Sequence, residues 1–346
     1  MDKIDLNRPY ECFCGQDIAN DYVCAYIAER CGEQKLEDCK ILVVSDRNVG
    51  GYYYSRFEQQ FLDKGIRPQL TIVDARNTYK NLDSISEVIR SFIDFDFVSG
   101  DWVIAFGGGG VLDIAAFACG ICTADINLIC VPTTLNAMAE GIVSRKAYLN
   151  SASHKNVLSA DLTIKAVFAD PIFLNSVPDK VKSNGYAAVI RYAMLADPNL
   201  MKELLEKNDL RVFLEKVFET RKKIELLNPL LITMGDEIAE AIEAYFRFMN
   251  YSEGEALALS ILASVPARYR EAMKVLYNRL GLPVTLTGVP GKMILKNVEK
   301  TLLKYHTEKV SLVDLGDDGK TWVLRELDRD RAFEILKKRL EVICAD

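Results

Sequence analysis

The sequence predicts two successive architectures: an α/β half built on a parallel sheet over residues 1–177, and an all-α helical half over residues 178–346. Three features of the chain point there. Short apolar runs rich in Val and Ile recur at 40–45 (KILVVS), 69–73, 102–106 and 126–131, with helix-like stretches between them. Four glycines, Gly107, Gly108, Gly109 and Gly110, stand directly between one such run and the segment that follows. After Pro178 the strand-like runs stop and long amphipathic stretches take over.

In chain order, 1–40 reads as a mixed start with a helix over 18–31 ending near Gly32. Strand 40–45 leads into Asp46-Arg47-Asn48-Val49-Gly50, and helix 53–64, strand 69–73 and helix 82–93 follow. An Asp at the carboxyl end of a parallel strand either takes a ribose hydroxyl or caps the next helix. Both readings of Asp46 stay open. Strand 102–106, the glycines, a mostly apolar helix from Val111 and strand 126–131, stopped by Pro132, form a βαβ unit. Glycines in that turn permit φ > 0 and let a ligand approach without a Cβ in the way. The free N–H groups and positive dipole end of the next helix suit a phosphate or pyrophosphate, although close helix–strand packing alone also asks for glycine. The motif is neither GxGxxG, because Leu112 and Asp113 occupy the later positions, nor a Walker A loop. In the second half, helices are expected over 181–195, 199–227, 236–250, 253–280, 291–305 and 328–343, with breaks at Asn228-Pro229 and Gly281-Leu282-Pro283.

A net charge of −6 without a Lys/Arg stripe predicts no nucleic-acid partner. No run approaches the roughly 20 apolar residues of a membrane span, and no secretory signal is visible, so a cytoplasmic location and no membrane partner are expected. The nine cysteines are expected to stay reduced, with Cys119 and Cys122 (CxxC) and Cys12 and Cys14 (CxC) read as packed thiols before redox or metal ligands. There are two histidines, His154 and His306.

Taken together with Tyr52, Lys80, Thr133-Thr134, Glu140, Lys146 and Lys155-Asn156, these motifs resemble the 3-dehydroquinate synthase family, within the wider group of sugar-phosphate cyclases and glycerol and iron-containing alcohol dehydrogenases. The resemblance runs through Val44-Ser45-Asp46-Arg47-Asn48-Val49 with Tyr52, Lys80, Gly107-Gly108-Gly109 with Asp113, and Pro132-Thr133-Thr134-Leu135-Asn136-Ala137. It continues through Glu140 and Lys146 to the pair Lys155-Asn156. It implies an N-terminal Rossmann-like NAD-binding domain, a C-terminal helical domain, a site between them and a homodimer. It also implies roles. Asp46, Asn48, Lys80, Gly107, Thr133 and Thr134 would hold the nucleotide, Gly108 to Gly110 the pyrophosphate, and Asp113 the nicotinamide side. Lys146, Lys155, Asn156, Arg191 and Glu140 would face cofactor and a small anionic, phosphorylated substrate.

The departures fall on the metal ligands. The family pattern places a Glu in GxxEVIKYG and histidines in NxGHTxGHAxE and HGEAV. Here those positions hold Ala188, then Asp236 and Glu240, then Glu253. No zinc or iron is expected, since zinc favours N and S donors, although Asp236, Glu240 and Glu253 could offer oxygen to Mg²⁺ or Mn²⁺. The family's substrate arginines align with Ala124 and with the neighbourhood of Pro229. Two functions follow from the resemblance. One is an NAD-dependent enzyme acting on a small phosphorylated sugar or polyol, of cyclase/lyase or dehydrogenase type. The other is a catalytically silent nucleotide-binding relative serving regulation or assembly.

Overall fold

The computed structural model describes residues 2–31, 35–76, 80–141, 146–151, 154–161, 164–206, 209–304, 308–319 and 321–344. By internal contacts the chain divides into two units, Met1–Val177 with Leu210–Glu215, and Pro178–Asp209 with Lys216–Asp346.

The first unit runs β1 (Asp2–Ile4), β2 (Glu11–Cys14), α1 (Ile18–Arg30), β3 (Ile41–Ser45), α2 (Arg47–Leu62), β4 (Gln69–Ile72) and α3 (Leu82–Asp94). It continues with β5 (Trp102–Gly107), α4 (Gly109–Ile121), β6 (Asn127–Pro132), α5 (Leu135–Ala139), β7 (Lys146–Ser151), β8 (His154–Asp161) and β9 (Ile164–Ala169). Seven strands form one sheet in the order β1-β2-β9-β6-β5-β3-β4, parallel except for β1. The runs of β3, β5 and β6 are apolar save for Ser45 and Asn127 at strand ends, because both their faces are covered. Trp102, Ile104 and Phe106 share one core with Ile18 and Ile27 of α1 and Phe57 and Phe61 of α2, while Val103 and Ala105 are buried on the opposite face.

Strands are added outward from β3 in two directions, β4 on one side and β5, β6 and β9 on the other. The order reverses between β3 and β5, where a doubly wound sheet opens a crevice at its carboxyl ends. Ser45 Oγ donates to Phe106 O at 2.7 Å across this point and ties the two strand ends together. Three features go beyond the sequence expectation: β1 and β2 extend the sheet, β9 lies between β2 and β6, and β7 and β8 pair as an antiparallel hairpin.

The second unit contains α6 (Asp179–Leu195), α7 (Asn199–Glu206), most of α8 (Leu210–Leu227), α9 (Asp236–Tyr245), α10 (Glu253–Ser264), α11 (Ala267–Leu280) and α12 (Gly291–Lys304). The antiparallel pair β10 (Lys309–Leu315) and β11 (Trp322–Asp328) and helix α13 (Arg329–Ile343) complete it. The stretch expected as one helix over 253–280 is two, because Pro266 has no N–H to continue α10 and instead leads into α11. Helix α9 stops five residues before the expected 250, where Arg247 and Phe248 take left-handed φ of 49° and 63°. Helix α10 starts on a capping box, Ser252 with Glu255, which satisfies two backbone donors that the first turn leaves over. Its Gly254 lies against α6, where a Cβ would meet Asn184 O at 2.1 Å. Among the described residues no helix is long and apolar enough to cross a membrane.

Candidate functional site

The glycine turn sits where β5 ends at the crevice, and each glycine answers a different constraint. None of the four has a positive φ, which corrects the expectation from sequence. A Cβ on Gly107 would lie 2.6 Å from the Val111 side chain, and one on Gly110 would lie 2.1 Å from Ala75 O, so these two permit close packing. A Cβ on Gly108 would touch Thr134 at an ordinary 3.4 Å. At Gly109, the first residue of α4, a Cβ would meet nothing within 4 Å. The turn is therefore closed on its packed sides and open over Gly109, at the positive end of the helix.

Beside it, Thr133 N donates to Gly107 O at 2.9 Å, which fixes the end of β6 against the end of β5. Thr134 caps α5 by accepting from Ala137 N at 3.2 Å. Thr133 is 2% exposed, and its Oγ1 has no hydrogen-bond partner. A buried hydroxyl left that way calls for a ligand or water to complete it.

One turn into α4, Asp113 becomes the hub of a network. Lys80 Nζ donates to Asp113 Oδ2 at 2.7 Å and to Asn156 Oδ1 at 3.3 Å. Asp113 Oδ1 accepts from Tyr148 N at 3.2 Å. Asn150 N donates to Lys80 O at 2.8 Å, and Asn150 Oδ1 accepts from Asn156 N at 2.9 Å. Asn156 is held at φ 53°, a conformation that asparagine tolerates better than most residues. The Lys80 side chain is 8% exposed, so its charge is balanced inside the protein and its position is fixed. Burial and the nearby Asp113 charge push the Tyr148 phenol upward. Lys80, Asp113 and Asn156 thus meet, and Tyr148 and Asn150, which sequence reasoning missed, hold them. Their signal was the strand pattern of 146–161, blurred by Asn150 being buried where an apolar residue is expected.

Asp46 caps α2, its Oδ1 accepting from Asn48 N at 2.8 Å and Val49 N at 3.1 Å. Asn48 is exposed at that helix start. Lys146 opens β7 with Asp161 at 3.8 Å, Lys155 is half-buried on β8, and Glu140 is half-buried at the end of α5. These three are placed by that hairpin and helix α5.

In the second unit, Arg191 on α6 is 4% exposed at its side chain and donates through Nη1 to Asp236 Oδ1 at 2.6 Å and to Met234 O at 3.3 Å. The charge expected to meet a substrate anion is therefore engaged by a carboxylate of its own unit. Ala188, one turn earlier on α6, is fully buried, and Glu253 opens α10. No group of three or more His, Cys, Asp or Glu suited to a metal ion occurs among the described residues. His154 is exposed on β8, and His306 lies outside the described residues.

Comparison with known proteins agrees with this architecture. The family model for the N-terminal part of 3-dehydroquinate synthase matches residues 70–184, the span from β4 through the glycine turn to the start of α6. The 3-dehydroquinate synthase of Clostridium kluyveri is 26% identical over 280 residues, 75% of this chain and 78% of that protein. Among solved structures, 2-epi-5-epi-valiolone synthase from Streptomyces hygroscopicus subsp. jinggangensis, with NAD+ and Zn2+ bound, superposes with a TM-score of 0.79. That match has 18% identity and covers 96% of this chain and 97% of the other. A 2-deoxy-scyllo-inosose synthase complexed with carbaglucose-6-phosphate, NAD+ and Co2+ gives a TM-score of 0.78 at 18% identity, over 97% of this chain and 99% of the other. At that identity the two structures speak for the fold alone. In sequence the chain is similar to 3-dehydroquinate synthases, over residues 70–184 to the family model and over 280 residues to the Clostridium kluyveri protein, and in fold it is similar to these two synthases.

Proposed function

We propose that the chain is an NAD-dependent enzyme of cyclase/lyase or polyol dehydrogenase type, acting on a small phosphorylated sugar or polyol. The observation that supports it most is the opening over Gly109 at the start of α4, beside the unpartnered, buried Thr133 hydroxyl. A pyrophosphate fits a helix start where backbone N–H groups are available and no Cβ intrudes. Residues 1–177 would hold NAD. Gly108 to Gly110 would receive the pyrophosphate, Thr133 and Thr134 would bond the nucleotide, and Asp46 and Asn48 would take the ribose at the start of α2. Bound NAD supplies a hydride acceptor for a substrate carbinol.

The chain's own residues then do the rest. Asp113 and Asn156 hold the Lys80 ammonium in one place, so it stabilises negative charge without reorganising when charge develops. Lys146 and Lys155 supply cations for a substrate phosphate. Glu140 is the carboxylate in that segment that would accept the carbinol proton. The side chains at the family's metal positions do not fit a divalent ion, since Ala188 has no donor and Asp236 is paired with Arg191. No step is therefore assigned to a metal. That same mismatch favours the second reading, a silent nucleotide-binding relative. A cytoplasmic homodimer completes the proposal.

Two measurements test it. NADH titration by fluorescence or calorimetry asks whether the nucleotide binds at all, and absence of binding overturns both readings. Phosphate release and NADH formation are then followed with phosphorylated sugars and polyols. Turnover supports the enzyme, and bound NADH without turnover across the panel supports the silent relative.

A further inference from the structure

The Arg191–Asp236 pair has a second consequence. Both solved relatives described above carry a divalent metal together with NAD+, Zn2+ in one and Co2+ in the other. In this chain the corresponding side chains make a poor donor set, Ala188 having no lone pair and being fully buried. Arg191 follows Ala188 by three residues on α6, so the two share a flank of that helix. Asp236 opens α9 after Gly235, whose φ of 88° turns the chain into the helix. The atom that meets this carboxylate is a guanidinium nitrogen.

We infer that the Arg191 guanidinium, held by Met234 O, engages the Asp236 carboxylate that a divalent ion would need, and that the second unit takes up no divalent ion there. A dication binding Asp236 would have to displace a charge-assisted hydrogen bond and sit beside a fixed like charge that water hardly reaches. Arginine stays protonated at every working pH, so this cation is never vacated. A chelator cannot remove it either. Asp236, at 41% side-chain exposure, is the accessible member of the pair, and it is neutralised from behind.

The test counts metal and omits NAD, so its outcome is independent of whether the chain binds nucleotide. Wild-type protein is incubated with excess Zn²⁺ or Mn²⁺, passed through gel filtration and analysed for metal. Less than about 0.1 equivalent is expected, because a retained site needs three or four good donors. In a second arm the donors are grafted as Ala188→Glu, Asp236→His and Glu253→His, with Arg191 either kept or changed by Arg191→Ala. The graft lacking the arginine is expected to bind Zn²⁺ at least about tenfold more tightly, because it is relieved of the like charge. Near one equivalent in wild type, or equal affinity of the two grafts, would overturn the inference. If circular dichroism shows that the grafts do not fold, the wild-type count decides by itself.

Discussion

Gly109→Asp separates the two demands that the glycine turn meets, binding and packing. A Cβ at Gly109 has no neighbour within 4 Å, so an Asp side chain enters open space and the fold need not move. Residue 109 is the first of α4, where a carboxylate interacts favourably with the helix dipole by about 0.3–1 kcal/mol and the helical backbone gains from losing a glycine. Thermal stability should hold or rise by a few degrees. A pyrophosphate in the same space would face the new carboxylate. With two charges on the ligand, about 5 Å of separation and an effective dielectric of about 40, the repulsion is about 3 kcal/mol, or roughly 10²-fold in Kd. Calorimetric or fluorescence titration of NADH, paired with a thermal melt, reads both effects. Gly110→Ala is the contrasting control, because its Cβ would lie 2.1 Å from Ala75 O and should cost stability whatever binds. If wild type binds NADH and Gly109→Asp binds it equally well, the nucleotide is not on this turn and the placement is refuted.

Lys80→Met leaves Asp113 without its buried cation and should cost about 3–5 kcal/mol in denaturant unfolding, with Lys80→Met/Asp113→Leu losing less than the sum of its singles. Asp170 is fully buried, and burial raises its carboxyl from 3.8 to about 6 in spite of bonds from the Asp17, Ala19 and Ile172 amides. The folded state therefore keeps its proton while the unfolded chain gives it up. Stability should fall as pH rises from about 4 to about 6, by up to about 3 kcal/mol, and Asp170→Asn should flatten that slope. Cys39 Sγ donates to Cys31 Sγ at 3.2 Å, and burial pushes the Cys39 thiol up to about 12, so oxidation should begin at the half-buried Cys31. Diamide should then lower the intact mass by two hydrogens in wild type; an equal loss in Cys31→Ser would refute the pairing.

What the sequence reveals of this fold depends on how each strand is covered. Strands β3, β5 and β6 show because burial on both faces demands a continuous apolar run. Strand β7 does not, since Asn150 occupies a buried position for its hydrogen bond to Asn156 N. The hairpin of β10 and β11 had a usable sign, Asp318-Gly319 between two alternating segments, with Gly319 at φ 67°. It was overshadowed by the helical character of its surroundings. The break in 253–280 was equally available at Pro266.

The candidate site shows the same division for a different reason. Lys80, Asp113 and Asn156 are separated by 33 and 43 residues, and no local period links positions so far apart. Family resemblance could nominate them, but only the β7–β8 hairpin against α4 explains why they are a unit: each satisfies a polar atom that another would leave buried and unpaired. Removing one member strands its neighbours, so such a network resists piecemeal change. On α6 and α9 the contact between Arg191 and Asp236 ties the two helices together. Arg191, on the flank of α6 that carries Ala188, supplies the counter-charge of Asp236. A glycine turn open over Gly109 argues for nucleotide binding without by itself arguing for turnover.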